Sequence, residues 1–142
     1  MPTRNAEAEW KGSIIDGNGS MRLGSGAFEG AYSFRSRMEE GTGTNPEELI
    51  GAAHAGCFSM AFSAALGKAG FAPTSIRTKA AVKFEKQGEG FAITKIDLTA
   101  DAEIPDIDDS KFQELAQAAK EGCPVSKALA GTEIHLQANL NK

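Results

Sequence analysis

The spacing of apolar and polar residues predicts short strands in the N-terminal part of the chain. Glu9–Ile15 and Ser20–Gly24 have the composition of strands, and the sequence DGNG between them (Asp16–Gly19) is typical of a tight hairpin turn. Alternating positions predict a third strand over Ala31–Glu39, and Arg37 lies on its polar face. The chain therefore opens with three strands.

The next segment carries the signals of a helix start. Asn45 suits the N-cap, Pro46 suits the first helical position, and Glu48 stands where a carboxylate completes a capping box. We expect the helix to run to Lys68 and to end at Gly70. Its many Ala and Gly residues allow another backbone to approach closely, which favours a central, buried helix.

Two long strands are predicted in the second half of the chain. Apolar residues alternate over Ile76–Phe84, and Gln87–Gly90 has the composition of a turn. In the following strand the apolar phase changes by one residue near Thr94–Lys95, which predicts a β-bulge. Pro105 ends this strand.

Two helical segments and a last strand complete the pattern. Asp108 or Asp109 caps a helix over Ser110–Glu121, and a short helical piece runs from Cys123 to Ala130. Alternation over Ile134–Leu140 indicates the last strand. The inner face of the longer helix is expected to carry Phe112, Leu115 and Ala119.

The element order βββ-α-ββ-α-β indicates an α+β fold with a mostly antiparallel sheet and helices on one side. A length of 142 residues favours one domain over residues 1–142. The 41% apolar and 24% charged residues are ordinary for a globular protein. A net charge of −4 provides no basic surface, so we expect no nucleic acid partner.

One uncharged segment resembles a membrane span in length. It covers Leu49–Gly67, but it consists mainly of Ala, Gly and Ser and contains His54, so we expect protein rather than membrane around it. Met1–Lys11 has no apolar run typical of a signal peptide. A cytoplasmic location is therefore expected.

Cysteines are the residues best suited to chemistry. Cys57 stands in the middle of the apolar helix, and Cys123 follows the helix-ending Gly122. Both side chains can be reduced, buried groups that pack as small hydrophobes. Alternatively they form a peroxidatic and resolving pair, which requires a stabilised thiolate and a second thiol within reach. They are 66 positions apart, so only tertiary folding can bring them together.

Other polar residues allow weaker interpretations. His54 lies three positions before Cys57, which permits a Cys–His acyl hydrolase, but nothing in the sequence orients the imidazole and a structural histidine is favoured. A metal site formed with His135 matches no standard ligand set. Taken alone, Arg37 fits a solvated strand residue and Glu47 fits a helix-start residue that complements the helix dipole.

Five longer motifs are spread over nearly the whole chain: YSFRSRMEE, GTNPEELIGAAHAGCFSMAF, TSIRTKAAV, GFAITKIDL and KEGCPVSKAL. Together they resemble the osmotically inducible protein C (OsmC) and organic hydroperoxide resistance family. The histidine in AAHAGC is closer to the OsmC branch of that family. Gly56 departs from the family pattern, which commonly has a slightly larger residue there.

The resemblance implies an intertwined homodimer that reduces organic hydroperoxides in stress defence, without a metal or a flavin. Carried over by motif, Cys57 is the peroxidatic cysteine, Cys123 the resolving cysteine and Arg37 the catalytic arginine, which Glu47 holds. An external dithiol, with lipoyl groups as the family's reductant, would restore both thiols. The alternative is a non-catalytic dimeric, stress-related binding module whose cysteines merely pack.

Helix geometry adds one constraint on this implied site. Glu47 and Cys57 are ten positions apart, which corresponds to about 15 Å along a straight helix and a rotation of roughly 80°. Both residues cannot contact one guanidinium in that arrangement. Either the helix breaks near Gly51, or Glu47 serves a cysteine on another subunit.

Overall fold

The computed structural model describes residues 1–141, which fold as two compact units that divide after Leu49. The predicted α+β class is confirmed; the prediction of one domain over residues 1–142 stays a prediction. The elements are β1 (Ala6–Lys11), β2 (Asn18–Leu23), β3 (Glu29–Tyr32), α1 (Phe34–Met38), α2 (Pro46–Lys68), β4 (Ser75–Gln87), β5 (Gly90–Glu103), α3 (Asp109–Gly122), α4 (Pro124–Ala128) and β6 (Glu133–Asn141).

The N-terminal unit contains an antiparallel sheet in the order β1-β2-β3. Its first turn lies earlier than the sequence predicts, since β1 ends at Lys11 and the N–H of Gly17 donates to the carbonyl of Ser13 at 2.8 Å. Ile14 and Ile15 are exposed in this turn. The prediction of a strand through Ile15 and a turn over Asp16–Gly19 was therefore wrong.

The predicted third strand is also corrected by the structure. Only Glu29–Tyr32 forms β3, and Arg37 lies on the short helix α1. Ser33 and Ser36 form a reciprocal capping box, in which each side-chain oxygen accepts from the other residue's backbone N–H at 3.2 and 2.8 Å. These bonds stabilise the first turn of a helix, and they outweigh the alternating pattern of the side chains.

Helix α2 has the bounds that the sequence predicts. The side chain of Asn45 accepts from the N–H of Glu48 at 2.8 Å, and Gly70 follows the helix with φ of +91°. The helix approaches β4 closely at Gly51, where an added Cβ would lie 3.3 Å from Cγ2 of Val82. Even the Cβ of an alanine would therefore fit tightly at this contact.

The C-terminal unit contains a mixed sheet in the order β4-β5-β6, in which β6 runs parallel to β5. Lys83 pairs with Lys95 and Phe84 pairs with Ile93, so Thr94, between them on β5, has no paired residue on β4. The predicted β-bulge is confirmed. Its effect is to turn the following residues of β5 towards the core, where four are buried: Ile96, Leu98, Ala100 and Ala102.

Aromatic residues join the two long helices within this core. Phe62 of α2 lies with its ring centroid 5.7 Å from that of Phe58 and 5.4 Å from that of Phe112 on α3. All three are fully buried. Asp108 caps α3 by accepting from the N–H of Lys111 at 2.8 Å, which settles the choice between the two predicted caps.

The opposite side of α2 is open in the single chain. Met60 is 77% exposed, and the exposed positions around it are small residues: Ala52, Ala53, Gly56, Ser63, Ala64 and Gly67. By length and composition alone the helix could cross a membrane, a property that core helices of soluble proteins also have. The expectation of protein surroundings on this side stays a prediction.

Candidate active site

A two-point ion pair links α1 to the first turn of α2. Nε of Arg37 donates to Oε1 of Glu47 at 3.1 Å, and Nη2 donates to Oε2 at 2.9 Å. The side chain of Glu47 is only 9% exposed, whereas that of Arg37 is 38% exposed. A bidentate pair with a buried carboxylate fixes the plane of the guanidinium and leaves its charge near the surface.

The loop between α1 and α2 holds this pair in place through three polar side chains. The Ser36 hydroxyl donates to the carbonyl of Thr44 at 2.7 Å. The Asn45 amide donates to the carbonyl of Ser36 at 3.1 Å while its oxygen caps α2. The Thr44 hydroxyl donates to Glu48 at 2.6 Å. Glu48 thus binds this hydroxyl in place of the capping-box partner that the sequence predicts.

Gly43 allows the loop to close against β3. Its φ of +118° lies in the left-handed region, and an added Cβ would lie 2.6 Å from the carbonyl oxygen of Ala31. The next N–H, that of Thr44, donates to this same oxygen at 2.8 Å. A side chain at position 43 would therefore displace the loop that positions Glu47.

The two cysteines meet in the C-terminal unit. Their sulfur atoms lie 2.9 Å apart, and neither cysteine is in a disulfide. Cys57 on α2 is half-buried, whereas Cys123, between α3 and α4, is fully buried. A molecule from solvent can thus reach Cys57 but not Cys123.

The surroundings of the two sulfurs shift their pKa values in opposite directions. Burial raises the pKa of the Cys57 thiol, and its hydrogen bond with Cys123 raises it further. Burial also opposes ionisation of Cys123, but the neighbouring polar groups of Cys57, Ser126 and Val125 together outweigh it and lower the pKa of Cys123. Within this unit the accessible thiol is thus the less acidic one.

A buried histidine lies beside the cysteine pair. His54 is fully buried on α2, and its Nε2 lies 2.7 Å from the hydroxyl of Ser126 on α4. Burial lowers the pKa of the imidazole, which keeps it neutral near pH 7. Since Nε2 is directed at Ser126, a Cys57–His54 hydrolase dyad has no support.

An apolar cleft of about 230 Å³ adjoins Arg37 in the N-terminal unit. Trp10 of β1 and Tyr32 of β3 form one wall, with ring centroids 5.4 Å apart. The remaining lining residues are Ile14, Ser33, Phe34 and Met38. An apolar cleft with a cation at its rim suits a small molecule with an apolar body and a polar group.

The sequence-predicted site residues therefore form two pairs, Arg37 with Glu47 and Cys57 with Cys123. Helix α2 is unbroken at Gly51, so the predicted alternative of a helix break does not occur. Sequence reasoning missed Ser126 and the aromatic wall of the cleft. Ser126 is three positions after Cys123 at a helix start, a spacing that could have indicated it.

Known proteins resemble this chain over most of its length. The family described as "OsmC-like protein" matches residues 39–138. Peroxiredoxin OsmC of Escherichia coli is 52% identical over 127 residues, which cover 89% of each chain. Organic hydroperoxide resistance protein OhrB of Bacillus subtilis is 36% identical over 97 residues, or 68% of this chain and 69% of that protein.

The fold is found in solved structures as well. An organic hydroperoxide resistance protein from Elizabethkingia anophelis superimposes with a TM-score of 0.79 and covers 99% of this chain and 98% of its own. Its sequence identity is 24%, so this likeness concerns the fold alone.

Proposed function

Because the chain belongs to the OsmC-like protein family, we propose that it is a cysteine-based peroxidase that reduces organic hydroperoxides to alcohols. The observation that carries the proposal is the 2.9 Å separation of the free sulfurs of Cys57 and Cys123. When a peroxide oxidises one of two thiols at this distance, the other thiol can react with the oxidised sulfur to form a disulfide. The names of the relatives, a peroxiredoxin and an organic hydroperoxide resistance protein, support the same activity.

Cys57 is the sulfur that attacks the peroxide in this proposal. Its thiolate displaces one oxygen of the O–O bond, becomes a sulfenic acid and releases an alkoxide, which takes up a proton as the alcohol. Cys57 is half-buried and reachable, whereas Cys123 is fully buried. Because burial raises the pKa of Cys57, this step requires a cation beside the sulfur.

Arg37 supplies that cation. A guanidinium stays charged at every working pH, stabilises the thiolate and donates to the departing oxygen. Glu47 holds its plane through two hydrogen bonds. The apolar cleft beside Arg37 suits the carbon chain of an organic hydroperoxide, which hydrogen peroxide lacks.

In the proposed homodimer, the Arg37 that lies beside Cys57 belongs to the other subunit. Glu47 and Cys57 lie on one unbroken helix, ten residues and about 15 Å apart along its axis, so the pair that serves Cys57 belongs to a second chain. The exposed face of α2 around Met60 and Gly56 offers small and apolar residues for such an interface.

Resolution and reduction complete the cycle. Cys123 attacks the sulfenic sulfur of Cys57, forms the disulfide and releases water. An external dithiol then reduces the disulfide by thiol exchange, and lipoyl groups are the expected source. A reducing compartment such as the cytoplasm keeps the resting thiols free.

A thiol titration tests the proposal. One equivalent of an organic hydroperoxide should consume both thiols of the chain and release one equivalent of alcohol. Hydrogen peroxide should react more slowly under the same conditions, because it leaves the apolar cleft empty. Two thiols that remain titratable after treatment would instead favour the non-catalytic binding module.

A further inference from the structure

His54 is a buried group that the peroxidase cycle above does not use. Its side chain is fully buried on α2, and its Nε2 lies 2.7 Å from the hydroxyl of Ser126 on α4, which is also buried. Its Nδ1 has no hydrogen-bond partner within residues 1–141. A buried ring with one unpaired nitrogen is less favourable for stability than an apolar side chain of similar size. The bond to Ser126 is therefore the contact through which His54 can act.

The His54–Ser126 bond lies beside the cysteine pair and joins the same two segments. His54 precedes Cys57 by three residues on α2, and Ser126 follows Cys123 by three residues. Residues three apart lie on one face of a helix, about 4.5 Å from each other along its axis. The contact between Nε2 and Oγ, at 2.7 Å, and the contact between the sulfurs, at 2.9 Å, thus hold one face of α2 against the start of α4. Two such contacts fix the angle between the segments as well as their distance.

Backbone bonds carry the position of Ser126 to Cys123. The carbonyl of Cys123 accepts from the N–H of Lys127 at 3.1 Å, and this bond closes the helical turn that contains Ser126. The N–H of Cys123 donates to the carbonyl of Ala119 on α3 at 2.9 Å. Because Cys123 and Ser126 belong to one hydrogen-bonded turn, a displacement of Ser126 also displaces the backbone of Cys123.

α4 depends on tertiary contacts for its position. It has five residues, far fewer than a helix needs to be stable by itself, and Cys123 at its N-cap makes no side-chain bond to it. Val125 and Leu129 pack against the core, but they are only partly buried. Apolar contacts lack direction, whereas a hydrogen bond fixes a distance and an angle. The buried bond to His54 therefore determines where the first turn of α4 lies.

We propose that His54 is a positioning residue for the resolving step, in which its bond to Ser126 holds Cys123 within reach of oxidised Cys57. The sulfurs lie 2.9 Å apart already in the thiol form, so the attack needs little movement. The inference rests on the proposed function for the sulfenic acid that Cys123 attacks. The equilibrium between the two thiols and their disulfide, however, can be measured without a peroxide.

The resolving step balances without an added reactant. The Cys123 sulfur forms the S–S bond as the S–O bond of Cys57 sulfenic acid breaks, and the departing hydroxyl group combines with the thiol proton of Cys123 to form water. The Cys57 sulfur is reduced and the Cys123 sulfur is oxidised by the same amount. His54 and Ser126 gain and lose no atom in this step. Their effect is on the fraction of molecules in which the two sulfurs face each other.

Single-turnover kinetics with one equivalent of an organic hydroperoxide separate the two steps of the cycle. Ser126→Ala should form the sulfenic acid at the unsubstituted rate but form the disulfide about fivefold more slowly, the effect of losing one hydrogen bond. Masses of quenched samples give both rates. The matched control is Ser59→Ala, which removes a hydroxyl of α2 whose bond to Thr78 is also 2.7 Å long, and it should change neither step. An unchanged disulfide step in Ser126→Ala, or equal slowing of both steps, would overturn the proposal.

A double-mutant cycle tests whether His54 acts through Ser126. His54→Leu fills the buried position with an apolar side chain and removes the bond, so it should slow disulfide formation as Ser126→Ala does. The double variant should be no slower than either single variant, because both substitutions remove the same bond. Losses that multiply in the double variant would show two independent effects and would contradict the proposed link.

The same kinetics at two pH values distinguish positioning from an effect on thiol ionisation. A hydroxyl is neutral over the working range, so the loss of a positioning bond should slow disulfide formation by the same factor at pH about 6.5 and at pH about 8.5. A deficit of Ser126→Ala that disappears at the higher pH would show that Ser126 acts on the charge of a thiol, against the proposal.

The thiol–disulfide equilibrium provides a test that needs no peroxide. Each protein is equilibrated in mixtures of reduced and oxidised dithiothreitol, and its mass shows the fraction with the Cys57–Cys123 disulfide. Ser126→Ala and His54→Leu should each need about a fivefold higher ratio of oxidised to reduced dithiothreitol for half-conversion, because the free sulfurs face each other less often. An unshifted equilibrium would refute the positioning role. If the unsubstituted protein consumes no peroxide but the variants show this shift, the peroxidase function is refuted and the positioning role stands.

Discussion

Arg37 and Glu47 are joined by two parallel hydrogen bonds, from Nε to Oε1 at 3.1 Å and from Nη2 to Oε2 at 2.9 Å. Only a planar guanidinium makes this pair of bonds, since an ammonium offers a single point charge. A lysine at position 37 would keep the positive charge but could not form both bonds. Replacing Arg37 by lysine therefore separates the effect of the charge from the effect of the two-point geometry.

Arg37→Lys should slow the first, peroxide-cleaving step by about tenfold or more, because it keeps the charge but loses the fixed plane. The measurement is the rate of sulfenic acid formation in a Cys123→Ser background under single-turnover conditions. Arg35→Lys is the matched control on the same helix, where Arg35 makes a single 3.5 Å contact with Glu39 and is 74% exposed. Similar losses at both positions would indicate a general field effect.

Subunit exchange tests the placement of the ion pair. Glu47→Ala and Cys57→Ser proteins should each be inactive, but a heterodimer of the two has one site with both residues intact if the site is shared between chains. Activity should then recover towards about half of the unsubstituted value per heterodimer. The measurement is peroxide consumption after mixing under conditions that exchange subunits.

Mixing Cys57→Ser with Cys123→Ser provides the control for that exchange. Both cysteines of a pair lie in one chain, 2.9 Å apart, so no heterodimer site is complete and no recovery is expected. Equal behaviour of the two mixtures would contradict the shared site.

Gly43→Ala should destabilise the fold by about 2 kcal/mol, because φ is +118° and the new Cβ would lie 2.6 Å from the carbonyl oxygen of Ala31. Gly26→Ala separates the two causes, since Gly26 has φ of +79° but open space around it. It should cost only about 1 kcal/mol. The free energies of unfolding come from urea titration, and equal losses would show that the contact with Ala31 is unimportant.

The second half of the fold could be predicted because its determinants are local. The phase change near Thr94 can be recognised without knowledge of the partner strand, and Asn45 caps α2 through a residue three positions away. α1 was missed because Phe34–Met38 is only five residues long and alternates as a strand does. Its helical state comes from the exchange of bonds between Ser33 and Ser36.

The candidate site was predictable only in part. Motif resemblance named four candidate residues, but the opposed shifts of the two cysteine pKa values depend on which groups surround each sulfur after folding. Ser126 lies 72 positions from His54, so their hydrogen bond leaves no local pattern in the sequence. Trp10 joins the cleft only because β1 pairs with β2 and β2 pairs with β3.

The free energy of unfolding should decrease as the pH falls, already at pH values above those at which the carboxylates take up protons. His54 has a pKa lowered by burial in the folded state and an ordinary value of about 6.5 when unfolded, so below that pH the unfolded chain binds the extra proton. The free energy of unfolding should decrease as pH drops from about 7 to about 5.5, with a slope of up to about 1.4 kcal/mol per pH unit.

Two variants identify the group responsible for that slope. His54→Gln should flatten the dependence in this pH window. His135→Gln should retain it, because the His135 side chain is 57% exposed. Loss of the slope in His135→Gln alone would contradict the assignment to the buried imidazole.

The most direct measurement of the central claim locates the oxygen that the peroxide transfers. Each protein receives one equivalent of an organic hydroperoxide, and its intact mass and peptide masses are then determined. The account predicts that the unsubstituted protein loses two hydrogens as a Cys57–Cys123 disulfide forms, that Cys123→Ser gains one oxygen on Cys57, and that Cys57→Ser is unchanged. An oxygen on Cys123 in Cys57→Ser, together with no reaction in Cys123→Ser, would contradict it.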